Sequence, residues 1–424
     1  MASPLLRRLY NPSVPTITTD FVQALPFEQA REMVINAVRL LSPRREVELV
    51  SLPDAHRRVL AEDLLADRDY PALRRSLRDG FAVKSSDLPG TLLIRGEVRA
   101  GEGEQAELRN GEALEIMTGA PVPEGADAVV MVEHVTRSQG PDGSPLVVID
   151  RAVEPEQFVN RRGAEASINS VLISKGTLLD ASHIATLAMA GKAEVPVFRQ
   201  PSVAILATGD EIVEVSEKPL AHQIRNSNSY MLAALVRASG AKPTVLPVAR
   251  DTKEALHSLI ERGLQYDCLI STGGVSAGKY DLVKPTLSDF GTEFKFERVR
   301  IQPGQPTAFG VSGGKPVFGL PGNPGSTLIT FQLFARPALE LLAGQSAPLQ
   351  PFLNARFEAP FRHKGGLTRF LPARLAEDGE RLRHIPWQGS SDVPALAKAN
   401  VFLIADHDRL TWEAGDEIRV MEKL

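Results

Sequence analysis

Residues 268–278 read Cys-Leu-Ile-Ser-Thr-Gly-Gly-Val-Ser-Ala-Gly, a short apolar run that ends in a polar, glycine-rich loop. The same order occurs on both sides of it. The apolar run 203–207 leads into Thr208-Gly209-Asp210-Glu211, and residues 316–320 lead into Pro321-Gly322-Asn323-Pro324-Gly325-Ser326. Segments of helical periodicity separate the apolar runs. This alternation predicts a three-layer α/β domain with a mostly parallel sheet over residues 199–345.

These three loops predict a ligand site. The carboxyl ends of parallel strands meet at one edge of a sheet, which is where open α/β sheets bind ligands. Glycines let backbone N–H groups approach a ligand, and helix N-termini favour anions. Asp210, Glu211 and Asp281 add carboxylates, which beside anion-binding amides indicate Mg²⁺ bridging to a phosphate. The alternative is that the glycines serve turn geometry alone.

Local composition and the pattern of apolar residues divide the rest of the chain into units. The predicted units are a loose tail (1–20), a mixed α/β N-terminal domain (21–67 with 163–198), a β-rich module inserted into it (68–162), the α/β domain (199–345) and a small, barrel-like C-terminal β domain (346–424). Within the N-terminal domain, apolar spacing predicts helices over 26–41 and 55–65. In the α/β domain, we expect Asp251 to cap a helix that runs to about Arg262, and residues 326–342 to form a helix with a kink at Pro337.

Composition restricts the functional class. The 48 Lys and Arg residues against 52 Asp and Glu give a net charge of −4, which argues against a nucleic-acid partner bound by bulk charge. Cys268 is the single cysteine, so an internal disulfide is excluded and a reducing compartment is favoured. The uncharged stretch 316–335 has three prolines and three glycines in its first half, so it cannot form a continuous membrane-spanning helix. We therefore expect a cytoplasmic protein without a membrane partner.

A serine hydrolase is a second hypothesis. Residues 274–278, Gly-Val-Ser-Ala-Gly, match the G-x-S-x-G nucleophile elbow after a strand. Acid and base candidates follow it, namely Asp289, His363, His384 and His407. This hypothesis does not explain the loops at 208–211 and 321–324.

Seven stretches in order resemble one family, the MoeA-type molybdopterin molybdotransferases, which are related to the C-terminal domain of gephyrin. The resemblance covers about residues 25–420. The matching stretches are Ser76–Val83, Ile116–Pro123, Asn160–Gly163, Thr208–Glu211, Gly273–Ser276 with Asp281, Pro303-Gly304 and Pro321–Pro324.

The resemblance implies an elongated, four-domain homodimer whose α/β domain is MogA-like. Its active cleft would lie between the α/β domain of one chain and the β-rich domains of the other. The implied substrates are adenylylated molybdopterin and molybdate, and the implied products are molybdenum cofactor and AMP, with Mg²⁺ as cofactor. The molybdopterin adenylyltransferase is a candidate partner. The alternative within the family is a non-catalytic, pterin-binding or scaffolding paralogue.

The resemblance also assigns roles to residues of this chain. Asp281, Glu211, Asp79 and Thr118 are the implied catalytic residues, and Asp281 and Glu211 are also the implied metal ligands. The implied substrate-binding residues are Thr208, Gly209, Asp210, Asn226, Asn228, Gly273, Gly274, Val275, Ser276, Gly278, Gln302, Gln305, Pro321, Gly322, Asn323, Ser326, Arg161 and Arg162.

Six positions depart from the family pattern. Arg78 stands where the family has Met, Glu165 and Asn226 where it has Asp, Leu367 where it has Arg, and Gln302 and Gln305 where it has Lys. If Gln302 and Gln305 line the oxyanion pocket, their neutral amides hold molybdate more weakly than ammonium groups would. Arg78 is then a candidate for the compensating charge.

Overall fold

The computed structural model describes residues 24–41, 45–101, 107–274 and 282–424. These residues belong to two compact units. One unit comprises residues 48–197, and the other joins residues 198–424 to the chain before residue 48. The predicted tail (1–20) lies outside the described residues.

The first helix, α1 (Phe27–Leu40), confirms the helix predicted over 26–41. Its apolar face carries Phe27, Ala30, Val34 and Val38, which are buried in the same hydrophobic core as the strands and helices of residues 198–424. The prediction had placed this helix in an N-terminal domain with residues 163–198. In the structure, α1 instead belongs to the unit that contains the α/β domain.

The unit of residues 48–197 is rich in short strands, as predicted for its central part. Its elements in chain order are β1 (Val47–Ser51), β2 (Leu64–Leu65), β3 (Arg75–Ser76), β4 (Gly80–Val83), β5 (Gly90–Val98), β6 (Glu112–Ile116), β7 (Ala128–Met131), β8 (Thr136–Gln139), β9 (Pro145–Ile149), β10 (Val159–Asn160), β11 (Val171–Ile173), α2 (Ala181–Met189) and β12 (Glu194–Phe198), with 3₁₀ turns at Leu52–Ala55, Ser85–Asp87 and Val132–His134. Six strands form one sheet in the order β7-β4-β6-β5-β9-β8, and the others pair as β1–β12, β2–β11 and β3–β10.

The helix predicted over 55–65 is wrong. Arg57 has a φ of 63°, a left-handed conformation that an α-helix does not contain. The N–H groups of Arg57 and Leu60 donate to the carbonyls of Leu179 and Thr177 rather than to the preceding turn. Long-range pairing with residues 177–179 therefore replaces the local helical hydrogen bonds.

Residues 202–342 form the predicted three-layer α/β domain. Its elements are β13 (Ser202–Ala207), β14 (Ile212–Val213), β15 (Ile224–Arg225), α3 (Ser227–Ala238), β16 (Lys242–Val245), α4 (Lys253–Gly263), β17 (Cys268–Thr272), α5 (Val283–Asp289), β18 (Glu293–Phe296), β19 (Ile301–Gln302), β20 (Ala308–Ser312), β21 (Lys315–Leu320), α6 (Pro324–Thr330), a π-helical segment (Phe331–Ala335) and α7 (Arg336–Leu342). The main sheet has the order β16-β13-β17-β21-β20-β18. The first four strands are mutually parallel, and β20 and β18 continue the sheet antiparallel.

Alternate side chains of the central strands face opposite layers. Val203 and Ile205 of β13 belong to the core shared with α1, α3 and α7. Ala204 and Leu206 belong to a second core, which contains residues of α4 and α5. This two-residue alternation is what places helices on both faces of the sheet.

The long helical segment after β21 contains the irregularity expected from Pro337. The α-helical hydrogen bonding is interrupted by the π-helical turn over Phe331–Ala335, immediately before α7. Proline lacks an N–H group and crowds the preceding turn, so a π-bulge next to it is physically reasonable.

The C-terminal region is a closed barrel of five strands. Its elements are β22 (Phe352–Phe357), β23 (Phe361–Arg362), β24 (Thr368–Leu375), β25 (Arg381–His384), α8 (Val393–Lys398), β26 (Val401–Ala405), β27 (Thr411–Trp412) and β28 (Glu417–Glu422). The strands follow the order β24-β25-β22-β28-β26, and pairing of β26 with β24 closes the circle. Within the described ranges, no helix combines the length and apolarity needed to cross a membrane.

Candidate functional site

The predicted loops converge on one cleft at the carboxyl edge of the parallel strands. The cleft has a volume of about 390 Å³. Its lining residues are Thr208, Gly209, Glu211, Ile212, Ile224, Arg225, Asn226, Ser227, Asn228, Asp251, Thr272, Gly273, Gly274, Pro306, Pro321, Gly322, Asn323 and Pro324. All three strand-to-loop junctions that the sequence singles out therefore contribute to it.

The loop after β13 places a carboxylate in the cleft. Gly209 has a φ of +149°, and a Cβ atom at this position would lie 2.7 Å from Glu211 Oε2. Glycine at this position lets the Glu211 carboxylate lie against the backbone. Thr208 is buried, and its hydroxyl donates to Asp251 Oδ1 over 2.7 Å.

Asp251 also lines the cleft, although its sequence position predicted only a helix cap. Thr252 performs that role, since its Oγ1 accepts a hydrogen bond from the N–H of Ala255 at the start of α4. Asp251 follows the parallel strand β16, so the rule applied to the other three loops could have found it.

Asp210 is the neighbouring carboxylate, and it lies outside the lining of this cleft. Its Oδ1 accepts a hydrogen bond from the backbone N–H of Asp251 and lies 3.9 Å from Arg250 Nη1. Asp210 faces an adjacent surface pocket instead.

The loop after β17 is closely packed against the loop after β13. Gly273 has a φ of +88°, and a Cβ atom there would lie 2.5 Å from the carbonyl oxygen of Thr208. Only glycine allows this approach of the two backbones. The predicted site residues that follow Gly274 lie outside the described residues: Val275, Ser276, Gly278 and Asp281.

The first turn of α3 closes another side of the cleft. Asn226 is buried and caps the helix, because its Oδ1 accepts a hydrogen bond from the N–H of Ser229. Asn228 Nδ2 donates to Thr272 Oγ1 (3.0 Å) and to the carbonyl of Gly322 (2.7 Å). Asn228 thus connects α3 to the loops that follow β17 and β21.

Two predicted contributions from the C-terminal half of the domain are not found in the cleft. Ser326 is buried inside α6, where its carbonyl accepts a hydrogen bond from Thr330. Gln302 is exposed on β19, beside β24, and the Gln305 carbonyl accepts hydrogen bonds from Val299 and Thr307. Neither glutamine lines the cleft, although the neighbouring Pro306 does.

Asp79 and Thr118, two of the implied catalytic residues, lie together in the unit of residues 48–197. Asp79 Oδ1 accepts hydrogen bonds from the N–H of Thr118 (2.6 Å) and from its hydroxyl (2.9 Å). These two donors hold the pKa of Asp79 below its usual range, because they stabilise the carboxylate. The pair is exposed.

The other predicted residues of this unit already have partners. Arg161 is paired with Glu156, and Arg162 with Asp69. The guanidinium of Arg78 lies over the ring of Phe158, at 5.9 Å from its centroid. Glu165, which stands where the family has Asp, accepts a hydrogen bond from Asn160. All four contacts lie within the unit of residues 48–197.

The fold and the cleft define a class: an α/β ligand-binding domain combined with a β-rich unit and a C-terminal barrel. Three family models match the chain: the MoeA N-terminal region (domain I and II) over residues 25–191, a probable molybdopterin binding domain over 204–341, and the MoeA C-terminal region (domain IV) over 354–423. The chain belongs to the MoeA family.

Individual relatives agree with this assignment. The chain is 34% identical to a molybdopterin molybdenumtransferase of Bacillus subtilis, over 89% of this chain and 90% of the relative. A Staphylococcus epidermidis protein of the same name is 30% identical over 88% and 90%. A solved molybdopterin biosynthesis MoeA protein from Pyrococcus horikoshii superimposes with a TM-score of 0.77 at 27% identity, covering 94% of this chain and all of the other.

This family membership leaves the serine-hydrolase hypothesis without support. Most of the 274–278 motif lies outside the described residues. Of its candidate partners, Asp289 is paired with Lys253. His384 ends β25 and His363 directly follows β23, so both lie in the C-terminal region and not on the α/β sheet.

Proposed function

We propose that this chain is a molybdopterin molybdenumtransferase, which uses molybdate and adenylylated molybdopterin and releases AMP. The observation that carries the proposal is the cleft, because it combines two carboxylates with glycine-rich loops in the region that matches a molybdopterin binding domain. The two curated relatives described above carry the same activity in their names.

The backbone of the cleft suits an anionic substrate. The first N–H groups of α3 have no acceptor within the helix, and a helix N-terminus favours negative charge. Ser227 and Asn228, which begin α3, line the cleft together with the turns at Gly273 and Gly322. We infer that these groups bind the oxygens of the phosphoanhydride and orient it.

Mg²⁺ is the cofactor that we propose. In the described part of the chain, no three His, Cys, Asp or Glu side chains cluster as a preformed metal site. Glu211 and Asp251 nevertheless line the same cleft, and Mg²⁺ is typically held by one or two carboxylates together with substrate phosphates. These residues therefore fit the ion, with Asp281 as the further predicted ligand. Bound Mg²⁺ would neutralise charge on the phosphoanhydride.

Asp79 and Thr118 have a proposed role in the partner's cleft. We infer a homodimer in which this exposed pair from one chain completes the site of the other. Its two hydrogen bonds lower the pKa of Asp79 and make it a weaker base, so its carboxylate would orient a donor group of the substrate. Mixing Asp79→Ala chains with Asp251→Ala chains should then restore part of the activity, since one site of each heterodimer keeps both groups.

Molybdate-dependent release of AMP by the purified protein, supplied with adenylylated molybdopterin and Mg²⁺, tests the proposal. Asp251→Asn keeps the side-chain shape and removes the charge, so turnover should fall about 10²-fold or more. Asp289→Asn is the matched control, because Asp289 pairs with Lys253 outside the cleft. Absence of AMP release by the wild-type protein would instead indicate the non-catalytic paralogue.

A further inference from the structure

Arg225 is the one cationic side chain among the described residues that line the cleft. Two carboxylates, Glu211 and Asp251, share that lining. The glutamines expected to bind the oxyanion, Gln302 and Gln305, do not reach it. A phosphate or oxometalate anion entering the cleft therefore meets one cationic residue among the described residues.

The backbone position of Arg225 is set by strand pairing, and its exposed side chain makes one hydrogen bond. Arg225 lies on β15, which pairs in parallel with β14 so that Arg225 is opposite Val213. The adjacent residue, Ile224, donates its N–H to the carbonyl of Glu211 over 2.9 Å. The side chain therefore starts next to the loop that carries one of the two cleft carboxylates.

The hydrogen bonding of the guanidinium indicates a ligand rather than an ion pair. Its Nε donates to the backbone carbonyl of Glu217 over 3.1 Å. Among the described residues no carboxylate forms a salt bridge with Arg225, in contrast to Arg161 and Arg162. A guanidinium anchored through Nε still presents its terminal N–H donors, and this planar pair matches two oxygens of an oxyanion.

We propose that Arg225 is the anion-binding residue of this cleft and takes a tetrahedral oxyanion as its ligand. The inference rests on the proposed function for the expectation of an anionic substrate. The oxyanion is either the phosphate of the adenylyl group or molybdate, which share a negative charge and acceptor oxygens. Arg225 would thus supply in this chain the positive charge expected from lysines at positions 302 and 305.

Calorimetric titration of AMP and of sodium molybdate into the full-length protein, each with and without MgCl₂, tests the proposal. Arg225→Gln should weaken binding of at least one probe about tenfold or more, on the scale of one lost charge-assisted hydrogen bond. Arg225→Lys should retain most of the affinity. Wild-type binding should weaken more steeply with added salt than Arg225→Gln binding. The probe that loses affinity identifies the bound oxyanion.

Arg237→Gln is the matched control, because Arg237 is exposed on the last turn of α3 and does not line the cleft. Circular dichroism of each variant checks folding, and Arg225→Lys keeps the test informative if Arg225→Gln is unstable. Wild-type affinity of Arg225→Gln for both probes, an equal loss in Arg237→Gln, or no binding of either probe by the wild type would overturn the proposal. Failure of the proposed function looks different: AMP binding would depend on Arg225 while the wild type releases no AMP.

Discussion

The helical segment that begins with α6 at the cleft ends in α7, which contains a buried ion pair between Arg336 and Glu340. Removing the negative charge of Glu340 should strongly destabilise the unit that contains the α/β domain. Arg336 Nε donates to Glu340 Oε1 over 2.8 Å, and the side chains are only 9% and 3% exposed. Glu340 Oε2 also accepts the N–H of Leu349 over 2.9 Å. Arg31 of α1 is nearby; burial lowers its pKa, and the charge of Glu340 partly offsets that effect.

Glu340→Gln preserves the shape but leaves two buried guanidinium groups without their counter-charge. Two charge-assisted hydrogen bonds, each contributing about 1.5–3 kcal/mol, are lost or become neutral. Breaking a buried pair by removing one partner typically costs about 3–5 kcal/mol. We therefore expect the free energy of unfolding to fall by about 3 kcal/mol. The double variant Arg336→Met/Glu340→Leu removes both charges and should cost much less.

Urea denaturation followed by tryptophan fluorescence measures this effect, because both tryptophans, Trp387 and Trp412, belong to the same unit as Glu340. The midpoint should shift strongly for Glu340→Gln and slightly for the double variant. A loss below about 1 kcal/mol for Glu340→Gln, within the range of ordinary surface changes, would refute the reasoning. So would a double variant that is as unstable as the single one.

Three further predictions concern single positions. Gly273 has a positive φ, and the Cβ of an alanine there would lie 2.5 Å from a backbone oxygen. Gly273→Ala should therefore lower the free energy of unfolding, measured by urea denaturation, by about 2 kcal/mol or more. Gly314→Ala, at a φ of +78° in open space, should lower it less. Thr118→Val removes a hydroxyl donor and should raise the pKa of Asp79, measured by NMR titration, while Thr118→Ser should not; equal pKa values in both variants would contradict the cause given above. Burial lowers the pKa of His384 from 6.5, so as the pH falls the unfolded chain binds a proton before the folded one does. The free energy of unfolding should therefore fall as the pH decreases below about 6.5. His384→Leu should flatten that dependence, and an unchanged pH profile would exclude His384 as its source.

The ligand-binding edge was predictable because its signal is local. Each strand ends in a Gly-rich polar loop, and parallel strands bring such loops together without further information. Glu211, Gly273 and Gly322 were located in this way. Asp251 also follows a parallel strand, β16, but the intervening residues 246–250 contain no glycine, and the predicted helix cap at this position offered a competing local interpretation.

The differences between the predictions and the structure have another physical origin. The helix expected over 55–65 has suitable periodicity, yet the backbone of this segment bonds to residues far away in sequence. The roles of Gln302 and Gln305 depended on where β19 lies, and β19 joins the C-terminal barrel through β24 rather than the main α/β sheet. Neither long-range pairing is encoded in the local pattern.

The charge balance of the cleft leads to one more prediction, in which a single substitution changes AMP binding in opposite directions with and without Mg²⁺. Glu211 and Asp251 face the space that an anionic substrate would occupy, with Arg225 as the counter-charge among the described lining residues. Without Mg²⁺ the two carboxylates repel the phosphate of AMP, and like charges at such distances disfavour binding. Asp251→Asn should therefore bind AMP more tightly than the wild type in a magnesium-free buffer. In the presence of Mg²⁺ the order should reverse, because the variant has lost a proposed ligand of the ion. Calorimetry of AMP binding in EDTA and in MgCl₂ measures both cases, with Asp289→Asn as the control. If Asp251→Asn weakens AMP binding in EDTA as well, Asp251 contacts the nucleotide directly and is not a metal ligand.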